Sequence, residues 1–182
     1  LALSRDRQFA QSAAIASQLY QQNTQSTAGS QFYAMRLLEA GEPREAETVF
    51  RAILARQPEH VPTLNNLAYL LQQRGELNAA AELAARAHAA APDNGQILDT
   101  LGRIEHLQGN HEKALETLQQ AANLAPELAV AHYHRARVLL ALGKQAQAEI
   151  AFTQALTLAG DAEWADEARA RLSQLASQQG YN

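Results

Sequence analysis

Cysteine is absent from this chain of 182 residues, and aromatic residues make up only 5% of it. Without thiols the protein forms no disulfide and no thiolate metal or catalytic site. The absence does not indicate a compartment, because cytosolic and periplasmic proteins alike can lack cysteine. Alanine and leucine dominate, and strand-forming residues do not occur in runs, so the composition is typical of an all-helical protein.

Strong charge and long apolar runs are also missing. The formal net charge is −4, and no lysine- or arginine-rich block occurs, so nucleic acid or an acidic membrane surface is not expected as a partner. No apolar run approaches the roughly 18 residues of a membrane-spanning helix, and nothing resembles a signal peptide. The chain begins at Leu1 without methionine, so we expect the natural N-terminus, with any targeting signal, to be missing.

Catalytic signatures are missing as well. There is no glycine-rich phosphate loop, no G-x-S-x-G and no H-E-x-x-H. His132 and His134 are a close pair, but two positions on a helix differ by about 200° of rotation, so both rings cannot hold one metal ion from one face. Glu105 and His106 diverge likewise. We therefore predict no enzymatic activity, no cofactor and no metal.

What the sequence does contain is an internal repeat. The segment VPTLNNLAYLLQQRGELNAAAELAARAHAAAP from Val61 is followed by GQILDTLGRIEHLQGNHEKALETLQQAANLAP from Gly95. The interval of 34 residues recurs in three columns of the sequence: Gly41, Gly75, Gly109 and Gly143; Ala46, Ala80, Ala114 and Ala148; and Pro58, Pro92 and Pro126. A repeat of this length indicates stacked structural units that have no separate cores.

The repeat resembles the tetratricopeptide repeat, through L-x2-L-A-x2-L…G…A-x3-A…P from Leu64 to Pro92 and L-x2-L-G-x2-E…G…A-x3-L…P from Leu98 to Pro126. The resemblance implies an all-α, right-handed solenoid of antiparallel helix pairs. The chain departs from the family pattern where tryptophan often opens a unit, at Ser30, Leu64, Leu98 and His132. Glu105 and Arg135 also replace expected apolar residues, which should weaken the packing of single units.

The repeat divides residues 1–182 into segments of one array. We predict a partial repeat at 1–26 (a second helix), repeats at 27–60, 61–94, 95–128 and 129–160, and a capping helix at 161–180. The first segment could instead be a dedicated N-terminal cap. Its apolar Phe9 and Leu19 could be exposed and support a weak homodimer. In the last segment, Asp161 is expected to cap the helix, and Trp164 to pack against Leu156 or Leu158.

Helix patterns fill each predicted unit. The predicted helices span 28–40 and 43–56, 61–74 and 77–90, 95–108 and 111–124, 129–142 and 145–158, and 162–178. Glycines that follow the first helices, such as Gly75, should adopt the left-handed conformation that ends a helix. Small residues at Ala68, Gly102 and Ala136 should face Ala80, Ala114 and Ala148, and so let the paired helices approach closely.

The resemblance implies that the first helix of each pair lines a concave groove. Residues spaced by three and four positions would form one stripe there, beginning with Gln31, Met35 and Leu38. We predict a peptide- or protein-binding groove formed by Asn65, Asn66, Tyr69, Gln72, Asp99, Arg103, His106, Tyr133, His134 and Arg137. Tyrosine and arginine are enriched at binding hot spots. The alternative is a solvated face on which Asp99 and Arg103 simply pair with each other.

The sequence therefore favours a non-enzymatic scaffold that binds a protein or extended peptide. A lysine–asparagine clamp for a C-terminal carboxylate is disfavoured, because no lysine stands at Gln31, Asn65, Asp99 or Tyr133. Two segments, NNLAYLL and LDTLGR, resemble bacterial repeat proteins of exopolysaccharide export and PEP-CTERM sorting, which favours the periplasm slightly over the cytoplasm. Alternatives are a structural spacer in a longer protein and a regulatory array attached to an enzyme domain.

Overall fold

All regular secondary structure is helical in the part of the chain that the computed structural model describes, residues 12, 14–18, 20–160 and 162–179. From residue 27 onward the helices are α1 (Thr27–Glu39), α2 (Pro43–Arg56), α3 (Val61–Gln73), α4 (Leu77–Ala90), α5 (Gly95–Leu107), α6 (His111–Leu124), α7 (Ala129–Ala141), α8 (Gln145–Leu158) and α9 (Ala165–Gln179). The predicted bounds of α1 to α8 agree to within one residue, whereas α9 begins later than predicted. Within the described ranges, no helix combines the length and the apolar character needed to cross a bilayer.

Residues 14–18 and 20–22 are helical and precede α1. Ala16 is buried, and the ring of Tyr20 stacks on Tyr33 of α1 with centroids 5.0 Å apart. The predicted contributions of Phe9 and Leu19, including the homodimer contact, lie outside the described residues. The predicted helix cap at Asp161 lies outside them as well.

The helices form two compact units, Leu1–Ala90 and Ala91–Asn182. In the first unit α1 packs on α2 and α3 packs on α4, while α2 contacts α3. In the second unit α5 packs on α6 and α7 packs on α8, while α6 contacts α7, α5 contacts α7 and α9 covers α8. We call α1, α3, α5 and α7 the first helices, and their partners α2, α4, α6 and α8 the second helices.

One type of turn joins each first helix to its second helix. Gly109 illustrates it: its φ is +85°, and its amide donates to the His106 carbonyl at 3.0 Å. The next amide, of Asn110, donates to the Glu105 carbonyl at 2.9 Å, and together these bonds close the end of α5. Equivalent bonds recur at the other three turns. The predicted left-handed glycines are confirmed.

Close approach within a hairpin depends on small side chains, as predicted. A Cβ atom added to Gly102 of α5 would lie 2.6 Å from Cγ of Leu118 and 3.4 Å from the Ala114 carbonyl oxygen, both on α6. Ala114 itself has no exposed surface. The equivalent residues Ala68, Ala80, Ala136 and Ala148 are fully buried too. The space between paired helices therefore admits nothing larger than these side chains.

Two charged residues occupy positions where the repeat expects apolar ones. The Glu105 side chain is buried, and its Oε1 atom lies 3.0 Å from Nζ of Lys113. The half-buried Arg135 donates to the amide oxygens of Gln119 and Gln154 at 2.9 and 2.8 Å, and burial lowers its pKa. Long polar side chains of α6 and α8 thus lie beside both residues, and among the described residues neither carboxylate oxygen of Glu105 accepts a hydrogen bond.

Replacing Ala114 with leucine should destabilise the protein by about 1–3 kcal/mol, because the added atoms would push α5 and α6 apart. Chemical unfolding followed by circular dichroism measures this loss. Ala146→Leu, on the exposed start of α8, is the matched control and should change the free energy of unfolding by less than about 0.5 kcal/mol. Equal effects of the two substitutions would contradict the close approach.

Candidate functional site

In the first unit, the predicted site residues lie on α3. Tyr69 is 43% exposed, whereas Asn65 and Asn66 are half-buried and Gln72 is buried. The Asn66 amide nitrogen donates to Sδ of Met35 on α1 at 3.4 Å, which ties the two first helices together. The surface of this face therefore carries one exposed aromatic ring beside half-buried amides.

In the second unit, a buried polar pair connects α5 and α7. Nδ1 of His134 lies 2.8 Å from Oδ1 of Asp99, and both residues are less than a tenth exposed. The neighbouring His132 points elsewhere, with its Nε2 atom 2.9 Å from the Pro126 carbonyl oxygen. His132 and His134 diverge, as the helical spacing predicts, so they do not form a common site.

Tyr133 of α7 is held by the segment that leads into α9 and by the first turn of α9. Its ring stacks on Trp164 with centroids 4.7 Å apart, and its hydroxyl donates to Oε2 of Glu167 at 2.6 Å. Burial and the Glu167 carboxylate raise the pKa of Tyr133 to about 12. Trp164 belongs to the same apolar cluster as Leu156, whereas Leu158 is 44% exposed. Trp164 is thus a packing residue whose ring partner is Tyr133, and its contact with Leu156 or Leu158 stays a prediction.

More exposed polar groups lie beside these buried pairs. The guanidinium of Arg137 lies 5.8 Å from the centre of the Tyr133 ring, and Arg103 has the equivalent position on α5, 34 residues earlier. His106 is half-buried. Burial, together with the nearby His111, Arg137 and His134, lowers the pKa of His106 to about 4, so its ring is neutral at physiological pH.

The structure thus brings five predicted residues into one cluster in the second unit: Asp99, His106, Tyr133, His134 and Arg137. Arg103 lies on the same helix as Asp99 and His106. Sequence reasoning missed three neighbours, namely His111, Trp164 as a ring partner, and Glu167. Glu167 could have been found, because it stands one repeat length after Tyr133. His111 could not be found from helical spacing, because a turn separates it from His106.

Two crevices lie away from these polar faces. One, of about 470 Å³, is lined by residues of α6, α7 and α8 that include Gln119, Arg135, Leu139 and Ile150. The other, of about 430 Å³ in the first unit, is lined by residues that include Arg51, Leu67, Leu71 and Glu82. Each of the four residues named for the second crevice stands 68 residues before the corresponding residue of the first crevice, and 68 residues are two repeat lengths. Such crevices are therefore a recurring result of packing three helices.

Comparison with protein families gives a match over more than half of the chain. The family model described as "Tetratricopeptide repeat" matches residues 60–127 and 97–161. A Pseudomonas aeruginosa protein described as "TPR repeat-containing protein PA4667" is 36% identical over 88 residues. That alignment covers 48% of this chain and 15% of the relative. The chain thus spans only a small part of the length of this relative.

Solved structures share the fold. The thermophilic TPR protein TTC0263 of Thermus thermophilus is 25% identical with a TM-score of 0.72, covering 85% of this chain and 84% of that one. The structure of the APC/C hetero-tetramer Cut9-Hcn1 is 14% identical with a TM-score of 0.86, covering 95% of this chain and 34% of that one. The predicted fold class, an all-α solenoid of helix pairs, is confirmed.

Replacing Tyr133 with phenylalanine should remove a pH-dependent part of the stability. The pKa of Tyr133 is raised in the folded protein from 10.0 to about 12, so its contribution is complete below pH 10 and is lost as the pH rises through 12. The difference in unfolding free energy between wild type and Tyr133→Phe should therefore shrink over this range. Denaturant titrations at several alkaline pH values measure it.

Glu167→Gln is the companion variant in this titration. It exchanges the anionic acceptor for a neutral one, so the pKa of Tyr133 should fall towards its ordinary value and the loss of stability should begin at lower pH. A difference between wild type and Tyr133→Phe that stays constant up to about pH 12 would contradict the assigned role of Tyr133.

Proposed function

The chain belongs to the tetratricopeptide repeat family, and we propose that it is a non-enzymatic scaffold that binds a protein partner through the polar faces of its first helices. Proteins of this family bind other proteins, and the structurally similar Cut9-Hcn1 hetero-tetramer is itself an assembly of two different proteins. The proposed ligand is an extended segment of the partner rather than a small molecule.

The observation that carries the proposal is the arrangement of side chains in the second unit, where buried, hydrogen-bonded residues lie beside partly buried arginine and histidine side chains. Asp99 and His134 fix each other, and Tyr133 is fixed by Glu167 and by Trp164. Arg103, His106 and Arg137 are only partly buried and lie on the same two helices. Groups that are already ordered before binding lose less conformational entropy when a partner arrives, so this face is suited to binding.

The chemistry of the partly buried groups Arg103, His106 and Arg137 favours a partner segment that carries carboxylates. Arg103 and Arg137 stand at equivalent positions of α5 and α7, two helices that contact each other. Guanidinium groups pair with carboxylates through two parallel hydrogen bonds. Two carboxylates of this region, those of Asp99 and Glu167, already accept hydrogen bonds from within the protein. An acidic segment would bring further carboxylates to the two arginines.

The face of α3 in the first unit supplies a different kind of contact. Tyr69 presents an exposed ring, and Asn65 and Asn66 carry amide groups beside it. Side-chain amides both donate and accept hydrogen bonds, so they match the alternating N–H and C=O groups of an extended backbone. We propose that this face binds peptide backbone and apolar side chains, independently of sequence.

The proposed ligand is an internal segment rather than a chain terminus. A carboxylate clamp needs lysine at one of the first-helix positions, and Gln31, Asn65, Asp99 and Tyr133 occupy them. Asp99 and Tyr133 are also buried and hydrogen-bonded within the protein. The positions that would grip a terminal carboxylate are therefore committed to internal contacts.

A role in bacterial envelope secretion or exopolysaccharide assembly is the finer form of this proposal. It rests on the segments NNLAYLL and LDTLGR, which lie in α3 and α5. The structural spacer and the regulatory array are alternatives in which the polar faces bind no partner segment. A test of binding by these faces therefore separates the proposal from both alternatives.

Selection from a displayed library of random peptides tests the proposal directly. Peptides enriched on the wild-type protein should be acidic, and the variant Arg103→Gln/Arg137→Gln should bind them at least about tenfold more weakly in fluorescence polarisation, since two charge-assisted hydrogen-bonding groups are lost. Binding should also weaken as the salt concentration rises.

Arg44→Gln/Arg51→Gln is the matched control, because it removes the same charge from exposed positions of the second helix α2. This variant should bind the selected peptides as the wild type does. Failure to enrich any peptide, or equal loss of binding in both double variants, would overturn the proposal. Circular dichroism confirms that the variants retain the helical content of the wild type.

A further inference from the structure

Two histidines face each other across the turn between α5 and α6. His106 lies in the last turn of α5, and His111 is the first residue of α6. Their Nδ1 atoms are 3.0 Å apart, with ring centroids 4.8 Å apart and ring planes tilted by 47°. Both side chains are half-buried, so an ion from solvent can reach them.

The pair is special to this hairpin. At the same two positions the other hairpins carry Leu38 and Pro43, Gln72 and Leu77, and Leu140 and Gln145. The hydrogen-bonded turn at Gly109 brings the two positions together, and equivalent bonds close the other turns. The four turns therefore share one hydrogen-bonded geometry, and of these four hairpins only the third has histidine at both positions.

The separation of the two nitrogen atoms matches that of two ligands on one metal ion. Metal–imidazole bonds of about 2.0–2.1 Å place two ligand nitrogens about 2.9 Å apart at a right angle and about 3.4 Å apart at a tetrahedral angle. The observed 3.0 Å is close to the right-angle value. Right angles between ligands are typical of copper(II) and nickel(II), which also bind imidazole well.

We propose that His106 and His111 form a binding site for copper(II) or nickel(II), in which Nδ1 of each ring is a ligand and the other coordination positions are open. In the metal-free protein one Nδ1 carries the proton that the other accepts. Metal binding moves that proton to Nε2 of the same ring, so no proton is released when both rings are neutral.

The surroundings limit the affinity of the site. The guanidinium of Arg137 lies near His106, and its positive charge opposes a bound cation. Among the described residues no group of three or more potential ligands occurs, so water or a side chain from another molecule must complete the coordination.

Calorimetric titration of the untagged protein with copper(II) chloride tests the site. The wild type should bind one copper ion, and its electron paramagnetic resonance spectrum should show coupling to two imidazole nitrogens. His106→Gln and His111→Gln should each weaken binding at least about tenfold, because even the loss of a group that only orients a ligand costs that much. His88→Gln, which removes a half-buried histidine of α4, should leave this binding unchanged.

A transplanted site tests the geometry without relying on loss of binding. Leu140→His/Gln145→His places histidines at the equivalent positions of the fourth hairpin and should raise the stoichiometry from one copper ion to two. The proposal is overturned if His106→Gln and His111→Gln bind copper like the wild type. It is also overturned if the transplanted pair adds no second ion although the protein keeps its helicity.

Discussion

The contact between small side chains inside each hairpin sets the geometry on which the rest of the structure depends. A Cβ atom at Gly102 would lie only 2.6 Å from Cγ of Leu118, so even one more carbon atom would collide with α6. Two helices at such a distance have little freedom to rotate about their axes. The orientation of α5 about its axis is therefore fixed, and with it the directions of the polar side chains that the proposed function uses.

The polar face of the second unit joins structural and functional roles on the same helices. Asp99 and His134 stand 35 residues apart, and Tyr133 and Glu167 stand 34 apart, so each hydrogen bond links one repeat to the next. The buried bond between Asp99 and His134 links the first helices α5 and α7, and the partly buried bond between Tyr133 and Glu167 links α7 to α9. Both bonds order side chains on the helices that carry Arg103 and Arg137. Tyr133, which the sequence predicts as a binding residue, is thus buried and stabilises the neighbouring helices.

The sequence predicts the helices, the turns and the small-residue columns well, because each depends on spacing within a single hairpin. Glycine at position 109 and alanine at position 114 are sufficient to locate a turn and a close approach. Burial of Gln72, Asp99, Tyr133 and His134 was not predictable, since it depends on side chains one repeat away. The contact between His106 and His111 was missed for a related reason: helical periodicity relates residues of one helix and ignores neighbours across a turn.

The short reach of these contacts has a consequence for how the chain acquires its structure. The side-chain hydrogen bonds described above connect residues at most 35 positions apart, which is little more than one repeat. Chains dominated by such local contacts have low contact order and fold rapidly. Each newly synthesised hairpin packs on the hairpin before it, so the chain can fold one hairpin at a time while synthesis continues.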